Sequence, residues 1–389
     1  IPKVHPSKIC KLSRISPLSN PIFHSPLSNN SNLFYQLSPL LCNSITQQLN
    51  NSITQQLNNS ATLFNSLFHL PKLFVILFPD YRQHIYSLKM SKIKYYIASF
   101  RLRTLPLSLS GIFLGTLLAA SEGYFNWAPF LLAVVTTLCL QILSNLANEL
   151  GDLQKGTDNE ERLGPIRSIQ SGALSLKEFK RTILLFVLLS VLSGTALVST
   201  AFESLLSTDG LIMLMLGAAS IVAAIKYTVG KNAYGYHGLG DVFVFLFFGL
   251  LSVCGAYFLM THRLSISIFL PATAVGLLST GVLNLNNMRD IENDRLCGKR
   301  TLPVILGISK AKIYHFCLII GAFVAMSSYM GLCGFRPFHF IFWFTLPLFL
   351  IHLKKVVQAE GRGLDPQLKV LSLSTLLFTL LAGWGAFHF

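Results

Sequence analysis

The chain reads as an all-α integral membrane protein, and three observations lead there. Of its 389 residues, 52% are hydrophobic and only 12% charged, against about 25% charged in a soluble domain. From Met90 onward the apolar residues gather into nine runs, each long enough to cross a bilayer as a helix. Lys and Arg fall almost wholly in alternate connections between those runs. The net charge of +15 would suit a nucleic-acid binder. The basic residues build no continuous stripe, however, so that class is set aside.

The runs lie at about residues 104–121, 127–148, 181–202, 210–229, 241–260, 267–287, 311–332, 337–353 and 368–388. The first is the most polar, with Pro106 and several serines, and its Gly111-Ile-Phe-Leu-Gly115 spacing suits close helix packing. The connections on one side with the run ends that border them, together with Lys92 to Arg103, carry 22 Lys and Arg, whereas the opposite connections carry only Arg263 and Arg336. By the positive-inside rule the chain is cytoplasmic at Met90 and external at its C-terminus.

Residues 1–89 have a different character. They are rich in Ser, Asn, Leu and Pro, hold one acidic residue, Asp80, and contain no Met. Asn43-Ser-Ile-Thr-Gln-Gln-Leu-Asn50 recurs unchanged as Asn51 to Asn58. Too few apolar positions recur at a fixed period to bury a core. The expectation is that 1–89 are disordered or are upstream sequence outside the native protein. A targeting peptide is the alternative. Residues 90–389 form the membrane domain.

Two polar stretches follow apolar runs two and six. The first is Asn145-Leu-Ala-Asn148-Glu149-Leu-Gly-Asp152, continuing to Gly156 and Asp158; the second is Asn284-Leu-Asn286-Asn287-Met-Arg289-Asp290, continuing to Asp294. Ionisable groups at membrane depth are expensive, about 2.5–3.5 kcal/mol each even on the lenient scale. Asn148 and Asp152 are one helical turn apart, as are Asn286, Asp290 and Asp294, so each set shares a helix face. Read singly, either cluster is a solvated helix end. The pair, with an Asn one turn before the Asp in both, points instead to two facing sets of hard oxygen ligands. Such ligands suit Mg²⁺ held together with substrate phosphates. A diphosphate also needs cations, and Arg101, Arg162, Arg167, Lys226, Lys231, Lys299 and Arg300 share the cytoplasmic side, where orientation alone would also place them.

Tyr227 to Asp241 is dense in Gly and Tyr (Tyr227, Tyr234, Tyr236) and includes His237. Glycines permit tight turns and tyrosines offer a flat face with a polar tip, so the stretch reads as a cap over a binding site. The seven cysteines show no paired spacing, and neither a zinc site nor a disulfide framework is indicated.

Several motifs in order resemble the UbiA superfamily of membrane prenyltransferases. They are Arg101-Leu-Arg-Thr104-Leu-Pro106, Asn145 to Asp158, and Arg162-Leu-Gly-Pro-Ile-Arg167 with Gln170-Ser-Gly172. Further on come Tyr227-Thr-Val-Gly, Ala233 to Asp241, Asn286 to Asp294, and Gly298-Lys-Arg-Thr-Leu-Pro303. Within that superfamily the chain is most similar to the menaquinone-pathway branch. The resemblance implies nine helices around a central cavity in a bacterial cytoplasmic (inner) membrane, and transfer of a polyprenyl group from an allylic diphosphate to 1,4-dihydroxy-2-naphthoate with decarboxylation to demethylmenaquinone. It implies Mg²⁺ on Asn148, Asp152, Asp158, Asn286, Asp290 and Asp294, whose carboxylates are then catalytic. Diphosphate contacts fall to Arg101, Arg167, Lys226, Lys231, Lys299 and Arg300. Asp241 would be a further catalytic carboxylate, lying with Tyr227, Tyr234, Tyr236 and His237 near the aromatic acceptor. Two departures stand out: Glu149 replaces a common Asp, and Leu102 replaces a common Pro. The competing readings are a relative acting on 4-hydroxybenzoate or homogentisate, and a transporter.

Overall fold

The computed structural model describes residues 92–387 apart from 160, 161, 165 and 166. The expectation for residues 1–89 lies outside the described residues. Nine helices among those described are long and apolar enough to cross a membrane. They are α1 (Lys92–Ser121), α2 (Trp127–Gln154), α3 (Leu176–Ala201), α4 (Thr208–Lys226), α5 (Gly240–Thr261), α6 (Ile266–Arg289), α7 (Ile308–Leu332), α8 (Pro337–Gln358) and α9 (Gly361–Gly385).

Local chemistry starts and breaks these helices. The Asn126 side chain accepts from Ala128 N at the start of α2. Ser175 and Glu178 form a reciprocal capping box on α3, and Ser207 accepts from Gly210 N on α4, satisfying amides that have no partner within the helix. α1 is interrupted at Arg101, whose φ of 51° is rare outside glycine. The carbonyl of Phe100, freed by the interruption, accepts from Asn145 Nδ2 at 2.9 Å, and the same amide reaches Thr104 Oγ1 at 3.1 Å. An asparagine of the first polar stretch thus fixes a bend in the neighbouring helix.

Between apolar spans in lipid, association rests on close packing more than on a hydrophobic drive. Gly111 and Gly115 show this: a methyl group on either would overlap α5, at Ser252 and Val253 respectively. The most extensive pairings are α5 with α6, α6 with α7, α2 with α3, and α1 with α9. α6 is the most buried span, with 61% of its apolar stretch inside the protein, and α4 is the least, with 11%. The second acidic motif therefore ends the innermost helix.

Where the boundaries differ from expectation, charge is the reason. α2 continues to Gln154, six residues past the apolar run, because its polar end is paired with cations inside the protein. α1 begins earlier than its apolar run, with Lys92 held by Glu178 at 2.6 Å.

Candidate active site

The first acidic motif is the last two turns of α2 and the loop behind it. Asn148 and Asp152 line a common cavity, as their spacing requires. Gly156 turns the chain with φ of 73°, and Thr157 N bonds back to Asp152 O at 2.9 Å. That reversal returns Asp158 beneath Asp152, where its Oδ1 meets Arg162 Nε at 3.1 Å and Arg167 Nε at 3.3 Å. Glu149 takes no part in this face. Its Oε1 accepts the backbone N–H groups of Ser168 at 2.7 Å and Ile169 at 3.2 Å, holding the loop that carries Arg167.

The second motif is the end of α6 and the short helix Ile291–Leu296. Arg289 Nε and NH2 grip Asp290 at 3.0 and 2.6 Å, and NH2 also reaches Asn286 Oδ1 at 2.9 Å. Asn293 Nδ2 donates to Thr157 O at 2.8 Å, so one motif's loop is hydrogen-bonded to the other's. Lys299 Nζ stands between them, 3.8 Å from Asp152 Oδ1 and 3.6 Å from Asp294 Oδ1.

Burial and charge set the protonation states. Burial pushes the Asp294 carboxyl up to about 6, although Lys299 opposes the shift. Burial likewise raises Asp158, against the pull of Arg167 and Arg162. At Asp290 burial would do the same, but the Arg289 hydrogen bonds and charge outweigh it and hold the carboxyl below its usual range. Burial disfavours the Lys299 ammonium, yet Asp152 and Asp294 keep it charged well above its ordinary pKa.

The cavity has a volume of about 460 Å³. Asn148, Asp152, Asn286, Asp290, Asp294, Arg101, Arg167 and Lys299 line its polar part, while Ala133, Val198, Phe247, Phe248 and Leu259 are among the residues lining the rest. Tyr227 and Tyr234 are on its wall, and the Tyr234 ring stacks on Phe243 at 3.8 Å. The structure does not bring every predicted residue to this wall. Tyr236 is buried behind it and donates its hydroxyl to Asp152 Oδ1 at 2.8 Å. Asp241 is buried at the start of α5 and accepts from Tyr314 OH at 3.1 Å. Asp158 is screened by Arg162 and Arg167, which do line the cavity. Lys226, Lys231, Arg300 and His237 are exposed and lie off the wall. The sequence gives no sign of such roles for Glu149, Asn293 and Thr157, because their partners are distant in the chain; Arg289, next to Asp290, reads there only as one of the cytoplasmic cations.

The donor set suits a divalent cation. Asp158 Oδ2 and Asp294 Oδ2 are buried with no hydrogen-bond partner. All the candidate ligands are hard oxygens, as Mg²⁺ prefers. Among the described residues no three His, Cys, Asp or Glu side chains converge to hold an ion by themselves. A cation here would take one or two carboxylates and complete its shell with other oxygens, which is how Mg²⁺ binds with phosphates. Arg101 adds a donor for an anion: its Nε is buried without a partner while NH2 bonds Asn148 Oδ1 at 2.8 Å.

Known proteins are similar to this chain in sequence and in fold. The chain is 42% identical over 306 residues to a protein named 1,4-dihydroxy-2-naphthoate octaprenyltransferase in Escherichia coli (strain K12), covering 77% of this chain and 99% of that one. It is 43% identical over 297 residues to the Haemophilus influenzae protein of the same name, covering 76% and 96%. In fold it is similar to the solved apo structure of a UbiA homologue from Aeropyrum pernix K1, with a TM-score of 0.54 at 20% identity over 73% of this chain and 97% of that one. A model of the UbiA prenyltransferase family matches residues 108–376, and with both acidic motifs inside that stretch, the chain belongs to the UbiA prenyltransferase family.

Proposed function

We propose that the protein transfers a polyprenyl group from an allylic diphosphate to 1,4-dihydroxy-2-naphthoate. The allylic C–O bond breaks with its electron pair leaving on the diphosphate, a ring carbon forms the new C–C bond, and the carboxylate departs as carbon dioxide. The product is the demethylmenaquinone ring system in its quinol form, with diphosphate released. One observation carries this reading: the motifs of α2 and α6 meet across Lys299 on the wall of a largely apolar cavity, in a chain over 40% identical to relatives named for that reaction.

Asn148, Asp152, Asp158, Asn286, Asp290 and Asp294 would hold Mg²⁺, which when bound supplies Lewis acidity to the leaving diphosphate. Arg101, Arg167 and Lys299 bind the diphosphate and offset the charge it gains, the form of catalysis that counts most in a water-poor site. The apolar lining keeps water from the allylic cation, and Tyr234 and Phe243, which stack on each other, add aromatic surface to that lining. Residues 90–389 form the prenyltransferase domain, with nine spans of which α1 to α6 and α9 line the cavity, the N-terminal end of α1 and both acidic motifs cytoplasmic, and the C-terminus external. This orientation rests on the Lys and Arg distribution. A bacterial cytoplasmic membrane suits such a chain. Clustering of the acids at the ends of two spans, and not along a midplane path, argues against a transporter.

Membranes containing the full chain, given an allylic polyprenyl diphosphate, Mg²⁺ and a panel of aromatic acids, test the reading. Prenylated product from 1,4-dihydroxy-2-naphthoate is expected. Prenylation of 4-hydroxybenzoate or homogentisate with dihydroxynaphthoate inert would overturn the substrate, and full activity in excess EDTA would overturn the metal.

A further inference from the structure

Arg289 has a fully buried side chain, and three of its hydrogen bonds cover oxygens of Asn286 and Asp290. Those are oxygens that Asn286 and Asp290 would offer a divalent cation, whereas Asp294 Oδ2 in the same motif has no hydrogen-bond partner. A guanidinium with no access to water cannot leave them without another acceptor, since an unpaired buried charge is strongly unfavourable. The structure supplies one. Arg289 NH1 donates to Asp365 Oδ1 at 2.6 Å, where α9 becomes a regular helix. Asp365 is one-third exposed, and it also accepts from Arg103 NH1, on Oδ2 at 3.0 Å and on the shared Oδ1 at 3.2 Å. It does not line the cavity.

We infer that Asp365 is a positioning residue for the second acidic motif: by sharing the Arg289 guanidinium it weakens that group's hold on Asn286 and Asp290 and lets a divalent cation take their oxygens. The inference rests on the metal reading above. Without the Asp365 charge, Asp290 is the one carboxylate among the described residues that pairs with Arg289, and an incoming cation competes against a tighter internal one. Sequence distance hides this link, for Asp365 lies on the last span.

The test is a thermodynamic cycle on the full chain in detergent, titrated with Mg²⁺ and read as the midpoint of thermal unfolding, with Mn²⁺ binding by electron paramagnetic resonance as a second readout. Asp365→Asn is expected to raise the half-saturating Mg²⁺ concentration about tenfold, a coupling usual for contacting charged groups. In an Arg289→Gln background the same change should shift it less than about twofold, because the residue through which Asp365 acts is gone. Should Arg289→Gln not fold, Arg289→Lys replaces it, since an ammonium lacks the planar fork that spans two carboxylates. A wild-type half-saturation in Asp365→Asn overturns the inference. So does an equal loss with and without Arg289, which would mark a merely structural contact. A wild-type protein with no response to Mg²⁺ overturns the metal reading itself and this inference with it.

Discussion

Tyr236 donates its hydroxyl to Asp152 Oδ1 at 2.8 Å, and the same hydroxyl meets Thr157 Oγ1 at 2.5 Å. The tyrosine is packed between two ammonium groups, with Lys155 Nζ 3.9 Å and Lys299 Nζ 5.2 Å from its ring centroid. Its polar tip is committed to the first acidic motif.

Tyr236→Phe should therefore weaken metal-dependent turnover more than acceptor binding. Losing one hydrogen bond to a carboxylate costs about 1.5 kcal/mol, or about tenfold in kcat/KM. Steady-state kinetics with Mg²⁺ and acceptor varied separately will tell. A raised KM for the aromatic acid, with the Mg²⁺ requirement unchanged, would make Tyr236 an acceptor contact instead.

Asp152→Ala and Asp290→Ala each remove a charge from the paired motifs. Turnover should drop by at least about 10³-fold, the scale seen when a group that stabilises transition-state charge is deleted. The variant proteins should still fractionate with membranes, because neither residue belongs to the apolar stretch of its span. Wild-type rates in either would contradict the site assignment.

Glu149 predicts a different signature. Glu149→Gln keeps an acceptor oxygen for Ser168 N and Ile169 N and should be mild. Glu149→Ala orphans two amides in the folded loop, each worth about 1–3 kcal/mol, and frees Arg167. A lowered unfolding temperature together with a raised KM for the prenyl diphosphate is expected. An unchanged unfolding temperature in Glu149→Ala would remove the anchoring role.

Acidity at Asp294 gives a pH test. Its folded-state pKa of about 6 lies above the ordinary 3.8, so without metal its contribution to stability is fully present below about 4 and is lost as pH rises through 6. Bound Mg²⁺ needs the carboxylate and reverses the preference. The rise in unfolding temperature produced by Mg²⁺ should accordingly be larger at pH 7.5 than at pH 5. Equal rises at both would show that Asp294 contributes nothing to the metal.

Much of this protein can be read from residue order. Nine apolar runs correspond to nine helices, since bilayer thickness dictates their length. The Asn-to-Asp spacing of four placed Asn148 with Asp152 and Asn286 with Asp290 on the cavity wall, because a helix turn fixes that geometry whatever its neighbours. What spacing cannot reveal is the partner. Arg289 looked like one more cytoplasmic cation, and only tertiary packing puts it against both Asp290 and Asp365. Glu149 looked like a long-armed substitute for a ligand, yet one position around the helix from Asn148 it faces the Arg167 loop. Tyr227, Tyr234 and Tyr236 looked equivalent, but the turn at Tyr234–Tyr236 leaves Tyr227 and Tyr234 on the wall and Tyr236 behind it.

The hydrogen bond from Asn293 to Thr157 O joins residues 136 apart in the chain, and Lys299, which balances Asp152, comes just beyond it. During synthesis, α2 is therefore threaded into the membrane long before its acids meet the lysine and the loop that complete their surroundings. Until α6 and the segment after it arrive, Asp152 has Arg167 but not Lys299, and the Thr157 carbonyl lacks its donor. The site is complete only when the second half of the chain reaches back to the first.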